Sequence, residues 1–219
     1  MEKEIRKIME EFNGLIDEET ARMLLMERMG KREGNKIGKL KEGKTWLYAA
    51  VENIVMEEDP FLAVIGDETG HCILKIWGNT PQLREGDVIK IVNGWAKRGR
   101  RGMEVNIGKY GMVEKAERNI VPKFEFGMKE GLFNLKGEIE KIFPTQVYLG
   151  KKETFVRKIL LGNQDIYLIN EMAKEMERFG EKEYLFLLWL HERNGRIYGD
   201  ELSKALKRDE FYEMIERMQ

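Results

Sequence analysis

The feature that most constrains this chain is a series of five strand-like runs within residues 36–115. The runs are separated by turns that contain glycine and acidic residues. Residues 61–65 and 71–77 flank a Gly-Asp-Glu-Thr-Gly turn at residues 66–70, which is typical of a β-hairpin. A short helix is predicted over residues 79–84, between the third and fourth strands. Local pairing of this kind predicts a small β domain with its own core.

Five strands with a helix between the third and fourth follow the order of an OB-fold barrel. The predicted fold class is mainly β plus α. We expect a helical N-terminal segment and linker over residues 1–35, the OB-fold barrel over residues 36–118, and a partial second OB-like or linking β segment over residues 119–170. A C-terminal helical domain is predicted over residues 171–219.

The C-terminal prediction rests on apolar residues at helical spacing. Helices are expected over residues 181–193, after Asp200 as an N-cap, and over residues 210–218, and together they resemble a winged-helix core. Such a bundle could bind duplex DNA, a partner protein or another copy of the chain. Because acidic residues closely follow the lysines of its middle helix, we favour protein contact.

Charge and cysteine content limit the function classes. The net charge is −1, from 38 Lys and Arg against 39 Asp and Glu, but residues 31–118 hold 16 basic against 13 acidic residues. Positive charge is thus concentrated on the predicted barrel. The single cysteine, Cys72, excludes an intrachain disulfide and favours an intracellular, cytoplasmic location.

Several kinds of site are not expected. One cysteine and two histidines do not make a typical structural zinc site, so neither a metal nor another cofactor is predicted. No apolar run is long enough for a membrane span, and none resembles a signal peptide. His71 and Cys72 are neighbours on a strand and should point to opposite faces, so they cannot form a nucleophile–base pair. We predict that the chain is not an enzyme.

The barrel motifs resemble the OB domains of archaeal replication protein A. The likeness is carried by the Gly-Asp-Glu-Thr-Gly turn, by Ile-Trp-Gly at residues 76–78, and by Asn-Ile-Gly-Lys-Tyr-Gly at residues 106–111. Residues 135–162 resemble the start of a second OB domain, but its closing strands are expected to be absent. Zinc-finger cysteines are absent too, so the chain resembles a shortened or paralogous member. Abundant Glu, Lys and Ile with few Gln favour a thermophile.

The resemblance implies a protein that binds single-stranded DNA in replication, repair or recombination. Its expected partners are other replication protein A subunits or replication and repair proteins, and it would be associated with the nucleoid. The alternative is a non-catalytic assembly or regulatory subunit whose OB fold and C-terminal helices mainly bind proteins. The sequence does not distinguish DNA from RNA.

The predicted nucleic-acid site has two parts. Alternation along the third strand puts Lys75 and Trp77 opposite the core side, and Trp77 coincides with a base-stacking position of the family. The alternative is that Trp77 only fills a barrel end. The loop after the fourth strand holds four cations without an acid, which fits a phosphate clamp or an ordinary solvated turn: Lys97, Arg98, Arg100 and Arg101.

Three features weaken this site. Met103 takes the place of a second stacking aromatic, and it is expected to contact a base less well. Trp95 lies an even number of residues after Ile89 and Ile91, which puts all three on the same side of a regular strand. We therefore predict that Trp95 lies in the core. The loop at residues 57–59 is acidic and would repel phosphate. These features predict moderate affinity, and the acidic loop and the missing second aromatic motivate the alternative of a protein-binding subunit.

Overall fold

The computed structural model describes residues 1–31, 33–78 and 80–219. The chain forms two compact units. One contains residues 1–98 and 103–122, and the other contains residues 99–102 and 123–219.

The first unit begins with two helices, α1 (Glu2–Glu11) and α2 (Glu18–Arg28), within the segment predicted to be helical. Asp17 is the N-cap of α2, because its carboxylate accepts a hydrogen bond from the backbone N–H of Thr20 at 3.0 Å. The buried faces of both helices pack with Val92 of the following barrel in one apolar cluster. The helices are therefore stabilised by burial against this barrel, as short helices require.

Six strands follow, and five of them close into barrel 1. Their bounds are β1 (Gly43–Met56), β2 (Phe61–Asp67), β3 (Gly70–Ile76), β4 (Val88–Gly99), β5 (Gly102–Ile107) and β6 (Met112–Lys115). The order is β1-β2-β3-β5-β4, with β4 paired back onto β1. The pair β3–β5 is parallel. This is the predicted OB order, so the barrel prediction is confirmed.

Barrel 1 is filled by alternating apolar side chains. Leu74 and Ile76 from β3 meet Val105 and Ile107 from β5 in its core. The predicted helix at residues 79–84 is not formed in its described part, residues 80–84, and Asn79 lies outside the described residues.

The second unit contains another closed barrel, barrel 2. Its elements are β7 (Phe133–Ile142), β8 (Gln146–Leu149), β9 (Glu153–Leu161), β10 (Gln164–Ile169), α3 (Glu171–Glu175), β11 (Tyr184–Arg193), β12 (Arg196–Gly199), β13 (Lys204–Leu206) and α4 (Arg208–Arg217). The strands β10, β12, β11, β7 and β9 are neighbours in that order, and β9 pairs back onto β10. The pair β10–β12 is parallel. Barrel 2 therefore has the strand order of barrel 1.

The prediction of a C-terminal helical bundle is wrong in its largest element. The segment predicted as a helix over residues 181–193 contains strand β11, and Asp200 begins a turn before β13 rather than a helix. The segment was ambiguous because both of its sides are buried. Leu185 and Leu187 face the barrel core, while Phe186 stacks on Phe211 of α4 with ring centroids 4.6 Å apart. A continuous apolar run does not distinguish a buried strand from a buried helix.

This correction changes the predicted organisation of the chain. The closing strands expected to be absent are β11 and β12, so the second OB fold is complete. The predicted division at residue 170 runs through barrel 2. The mixed fold class, the N-terminal helices and a C-terminal helix are confirmed.

Candidate nucleic-acid interface

The outward side of β3, β4 and β5 carries the polar and aromatic side chains of barrel 1. We call this surface the barrel 1 face, and it consists of Lys75, Trp77, Trp95, Lys97, Glu104 and Asn106. Trp77 follows β3 and is 54% exposed. Its backbone N–H donates to the carbonyl of Ile107 at 2.9 Å, which holds the residue in line with the strand. The predicted alternation along β3 is confirmed.

The two lysines of the barrel 1 face share one carboxylate. Lys75 Nζ lies 2.8 Å from Glu104 Oε2, and Lys97 Nζ lies 4.0 Å from the same oxygen. Glu104 is buried, so its ion pair with Lys75 lies in a less polar environment than a fully exposed pair would. Part of the positive charge predicted for phosphate binding is therefore neutralised within the protein.

Trp95 is not a core residue, and the prediction that it is buried is wrong. Its side chain is 55% exposed. The cause is a β-bulge in β4: Thr45 pairs with Gly94, but Leu47 pairs with Ile91, so β4 has one extra residue. Asn93 lies in this interval with a φ of 57°. The bulge reverses the alternation, so that Ala96 points inward and Trp95 outward.

The four cations of the predicted clamp do not act as one group. Lys97, Arg98 and Arg100 are exposed. Arg101 is half-buried and donates to Asp200 Oδ2 at 2.8 Å and to Glu201 Oε1 at 2.7 Å. Burial opposes the charge of Arg101, but both carboxylates outweigh it and raise the pKa of the guanidinium. Arg101 is thus an anchored residue rather than part of a mobile clamp.

Met103 and the histidine–cysteine pair are placed by the same strand alternation. Met103 packs against the core of barrel 1, so its predicted contact with a base has no support from its position. Cys72 is in that core, and burial raises the pKa of its thiol well above the usual value. His71 points away from it and lies 2.8 Å from Glu52 Oε2. These two side chains do point to opposite faces, as predicted.

The matching surface of barrel 2 is richer in aromatic and basic side chains. Ile159, Ile166 and Ile197 fill the core, so their strand neighbours point outward. Lys158 of β9 pairs with Tyr167 of β10, Tyr167 pairs with Tyr198 of β12, and Tyr198 pairs with His191 of β11. We call these four residues the cross-strand row.

The rings of the cross-strand row are close enough to form a continuous platform. The centroids of Tyr167 and Tyr198 are 5.7 Å apart with an interplanar angle of 38°. The imidazole of His191 stacks on Tyr198 at 5.9 Å. The guanidinium of Arg196 lies 5.5 Å from the centre of the Tyr167 ring. Rings and cations in this arrangement suit base stacking beside phosphate contact.

Lys158, Tyr167 and Tyr198 of this platform line a cavity of about 510 Å³, which we call the barrel 2 groove. Its wall comes from the loop and short hairpin after β7. The Phe143 ring lies 4.2 Å from Lys158 Nζ, and Tyr148 is largely exposed. The lining residues are Phe143, Pro144, Gln146, Tyr148, Val156, Lys158, Tyr167, Arg196 and Tyr198.

The sequence prediction missed the barrel 2 groove. Its signal was present, since residues 165–168 and 196–198 both alternate between polar or aromatic and aliphatic residues. With residues 181–193 predicted as a helix, however, the strand that joins β7 to β12 was missing. Without that strand, Tyr167 and Tyr198 could not be placed side by side.

Within residues 1–31, 33–78 and 80–219, no group of three or more His, Cys, Asp or Glu side chains could hold a metal ion. Among the same residues, no helix is long and apolar enough to span a membrane.

The chain matches no protein-family model. It is 32% identical over 62 residues to the single-stranded DNA binding protein Ssb of Saccharolobus solfataricus, a match that covers 28% of this chain and 42% of that protein. The chain thus spans less than half the length of this curated relative in the matched region. The relative supports a likeness to single-stranded DNA-binding proteins.

Several solved structures resemble the chain at low identity. A replication protein A heterotrimer bound to single-stranded DNA has a TM-score of 0.43 and 14% identity, over 78% of this chain and 51% of that chain. An OB domain from Methanosarcina mazei has a TM-score of 0.38 and 22% identity, over 45% and 96%. A HINa domain in complex with 20-bp double-stranded DNA has a TM-score of 0.41 and 18% identity, over 76% and 98%.

Proposed function

We propose that this protein binds single-stranded DNA without strong sequence preference, through the outward faces of its two barrels. The observation that carries the proposal is the cross-strand row, which places two tyrosines and a lysine on adjacent strands of one open groove. The partial match to a single-stranded DNA binding protein supports the same function.

Each part of the barrel 2 groove has a role in this proposal. Tyr167 and Tyr198 stack on successive bases, because every base has a flat face regardless of sequence. Lys158 and Arg196 neutralise the phosphates between them. On the barrel 1 face, Trp77 adds a further stacking surface. The exposed cations Lys97, Arg98 and Arg100 add electrostatic attraction, whereas Arg101 and Met103 no longer belong to the proposed contact set.

The cellular role follows from the family resemblance and remains part of the proposal. A sequence-tolerant binder of the replication protein A type would protect single strands during replication, repair or recombination. It would work with other subunits or with repair enzymes, inside the cell and close to the nucleoid.

A titration of the full chain with fluorescent oligonucleotides tests this function. Single-stranded oligo-dT, the matching RNA and a duplex are compared at two salt concentrations. We expect the single strand to bind at least about tenfold more tightly than the duplex, with an affinity that falls steeply as salt increases. Equal affinity for duplex and single strand, or no binding at micromolar protein, would contradict the proposal.

A second candidate function is a protein-binding assembly subunit. It is favoured by the edge strand β8, where Leu149 is 85% exposed beside the exposed Val147 and Tyr148. In that case the protein would co-purify with a partner, and replacing Arg98 and Arg100 together with alanine would leave DNA binding by the complex unchanged. Loss of DNA binding in that variant would instead favour the first function.

A further inference from the structure

A second cavity shares Tyr198 with the barrel 2 groove. Its volume is about 410 Å³, and all of its lining residues belong to the second compact unit. Tyr198 lines both cavities, so the two are neighbours at this residue. The residues that determine its chemistry are Arg100, Arg101, His191, Arg193, Asp200 and Glu201.

The charges in this pocket favour an anion. Arg101 is held by both carboxylates, those of Asp200 and Glu201. The side chains of Arg100 and Arg193 form no hydrogen bond or ion pair with the described residues. Three guanidinium groups against two carboxylates leave a net charge of +1, and the two exposed guanidinium groups supply it.

His191 adds a buried polar side chain to the lining of this pocket. The residue is 7% exposed, and its Nδ1 has no hydrogen-bond partner within the described part of the chain. Asp200 Oδ2 is 4.0 Å away, beyond hydrogen-bond distance. Buried polar atoms without a partner are rare in native proteins, and here the ring that carries such an atom lines the basic cavity.

We propose that this pocket binds the terminal phosphate monoester of a nucleic-acid strand whose last bases stack on Tyr198 and Tyr167. The inference rests on the proposed function and adds a preference for phosphorylated ends. Arg100 and Arg193 bind the phosphate oxygens, and His191 contacts the same group through its ring.

The pocket suits a strand end better than an internal phosphate. A monoester carries a charge of about −1.5 to −2 at neutral pH, and its three free oxygens can each accept a hydrogen bond. Arginine forks are suited to such a group.

The test compares three oligo-dT probes of one length, carrying a 5′-phosphate, a 3′-phosphate or hydroxyl groups at both ends. Affinity for the full chain is measured by fluorescence anisotropy. We expect one phosphorylated probe to bind about five- to tenfold more tightly than the hydroxyl-ended probe, as a charge-assisted contact predicts. The 5′ and 3′ probes show which end occupies the pocket.

Variants of the pocket arginines test whether this pocket causes the preference for a phosphorylated end. Arg193→Gln and, separately, Arg100→Gln should each reduce the preference to about twofold or less, because each removes one guanidinium from the phosphate. Arg217→Gln, an exposed arginine on α4, is the matched control and should keep the full preference. Thermal melting checks that every variant is folded, and the two single variants give independent readings.

The possible results separate the two proposals. Equal affinity for all three probes would overturn the phosphate pocket and leave single-strand binding intact. A preference that persists in the folded Arg100→Gln/Arg193→Gln double variant would also overturn it. Failure of all three probes to bind would overturn the pocket together with the proposed function.

Discussion

The two barrels share a strand order but present different side chains at matching positions. In barrel 1, β2, β3 and β5 align three outward residues, and in barrel 2 their counterparts β9, β10 and β12 align three others. The two sets are Leu62, Lys75 and Asn106 against Lys158, Tyr167 and Tyr198. The fold supplies the platform in both cases, and the side chains decide what each can bind.

The charge next to this row differs as well. Glu104 lies two residues before Asn106 on β5, and Arg196 lies two residues before Tyr198 on β12. Barrel 1 therefore has a buried carboxylate that neutralises its own lysines, at a position where barrel 2 has a guanidinium over a ring. Lys158 of barrel 2 also has a carboxylate partner, Asp165, but that pair is longer, at 3.4 Å, and more exposed. From this contrast we expect barrel 2 to contribute more of the affinity for a single strand.

The largest expected loss of DNA affinity comes from removing the rings of the barrel 2 platform. Replacing Tyr167 and Tyr198 together with alanine should weaken binding of oligo-dT by about 1–3 kcal/mol for each ring, because each loses a stacked base. The measurement is a titration by fluorescence anisotropy. The control is Tyr212→Ala, an exposed tyrosine on α4 outside the groove, which should change the affinity little.

The second-largest effect is expected on the salt dependence of DNA binding, which should differ between variants of the two barrels. Lys158→Gln with Arg196→Gln should reduce the slope of log affinity against log salt by about 1.4, since each lost phosphate contact on a single strand contributes roughly 0.7. The matched pair in barrel 1, Lys75→Gln with Lys97→Gln, should reduce it less. A larger change from the barrel 1 pair would reverse the proposed ranking.

Tryptophan fluorescence reports on barrel 1 alone. Trp46 and Trp189 are fully buried, so quenching by oligo-dT should come from the exposed Trp77 and Trp95. Trp77→Ala should remove about half or more of the quench and cost about 1 kcal/mol of binding. If the quench is unchanged in the Trp77→Ala variant, Trp77 does not contact a base.

Replacing Glu104 is expected to strengthen DNA binding, whereas the changes above weaken it. Glu104→Gln keeps the shape of the side chain but frees Lys75 and Lys97 for phosphate. Binding should tighten by about 0.5 kcal/mol, comparable to a partly exposed ion pair, with a steeper salt dependence. Weaker binding in this variant would mean that Glu104 positions the lysines rather than competing with the ligand.

The smallest effect on binding is expected at Asp17, which stabilises the helices packed on barrel 1. A side-chain hydrogen bond from Lys44, then those from Thr20, lower its pKa from 3.8 to about 2. Because the folded pKa is the lower one, this stabilisation is complete above about pH 3.8 and is lost as the pH falls through about 2.

Asp17→Ala should therefore reduce the free energy of unfolding at pH 7 by about 1 kcal/mol, mainly through the lost helix cap. The carboxylate is 45% exposed, so solvent screens its pairing with Lys44 and reduces that part of the effect. Chemical denaturation at pH 7 and pH 2 measures the difference. A larger loss at pH 2 than at pH 7 would contradict the stated sign.

How well the sequence predicted each barrel depended on how its strands are buried. In barrel 1, alternation and turn residues were enough for the strand order and for the exposure of Trp77. Trp95 was misplaced because a bulge at Asn93 exchanges the inward and outward positions of the residues that follow. A regular alternation does not reveal such an insertion. In barrel 2, strand β11 is apolar on both sides, so its period resembled that of a helix.

The predicted site suffered from the same limits. Cations close in sequence were grouped as a clamp, but Arg101 pairs with acids about a hundred residues away, which no local pattern indicates. The cross-strand row depends on the register of four strands. Its members were visible as residues, but their proximity required the closed barrel.

Photochemical crosslinking tests the central claim most directly. An oligo-dT carrying 5-iodouracil is irradiated with the full chain, and the adducts are located by mass spectrometry. The account predicts adducts on Tyr167 or Tyr198 in the highest yield, with a lower yield on Trp77. Adducts confined to α1, α2 or α4, with none on either barrel face, would contradict it.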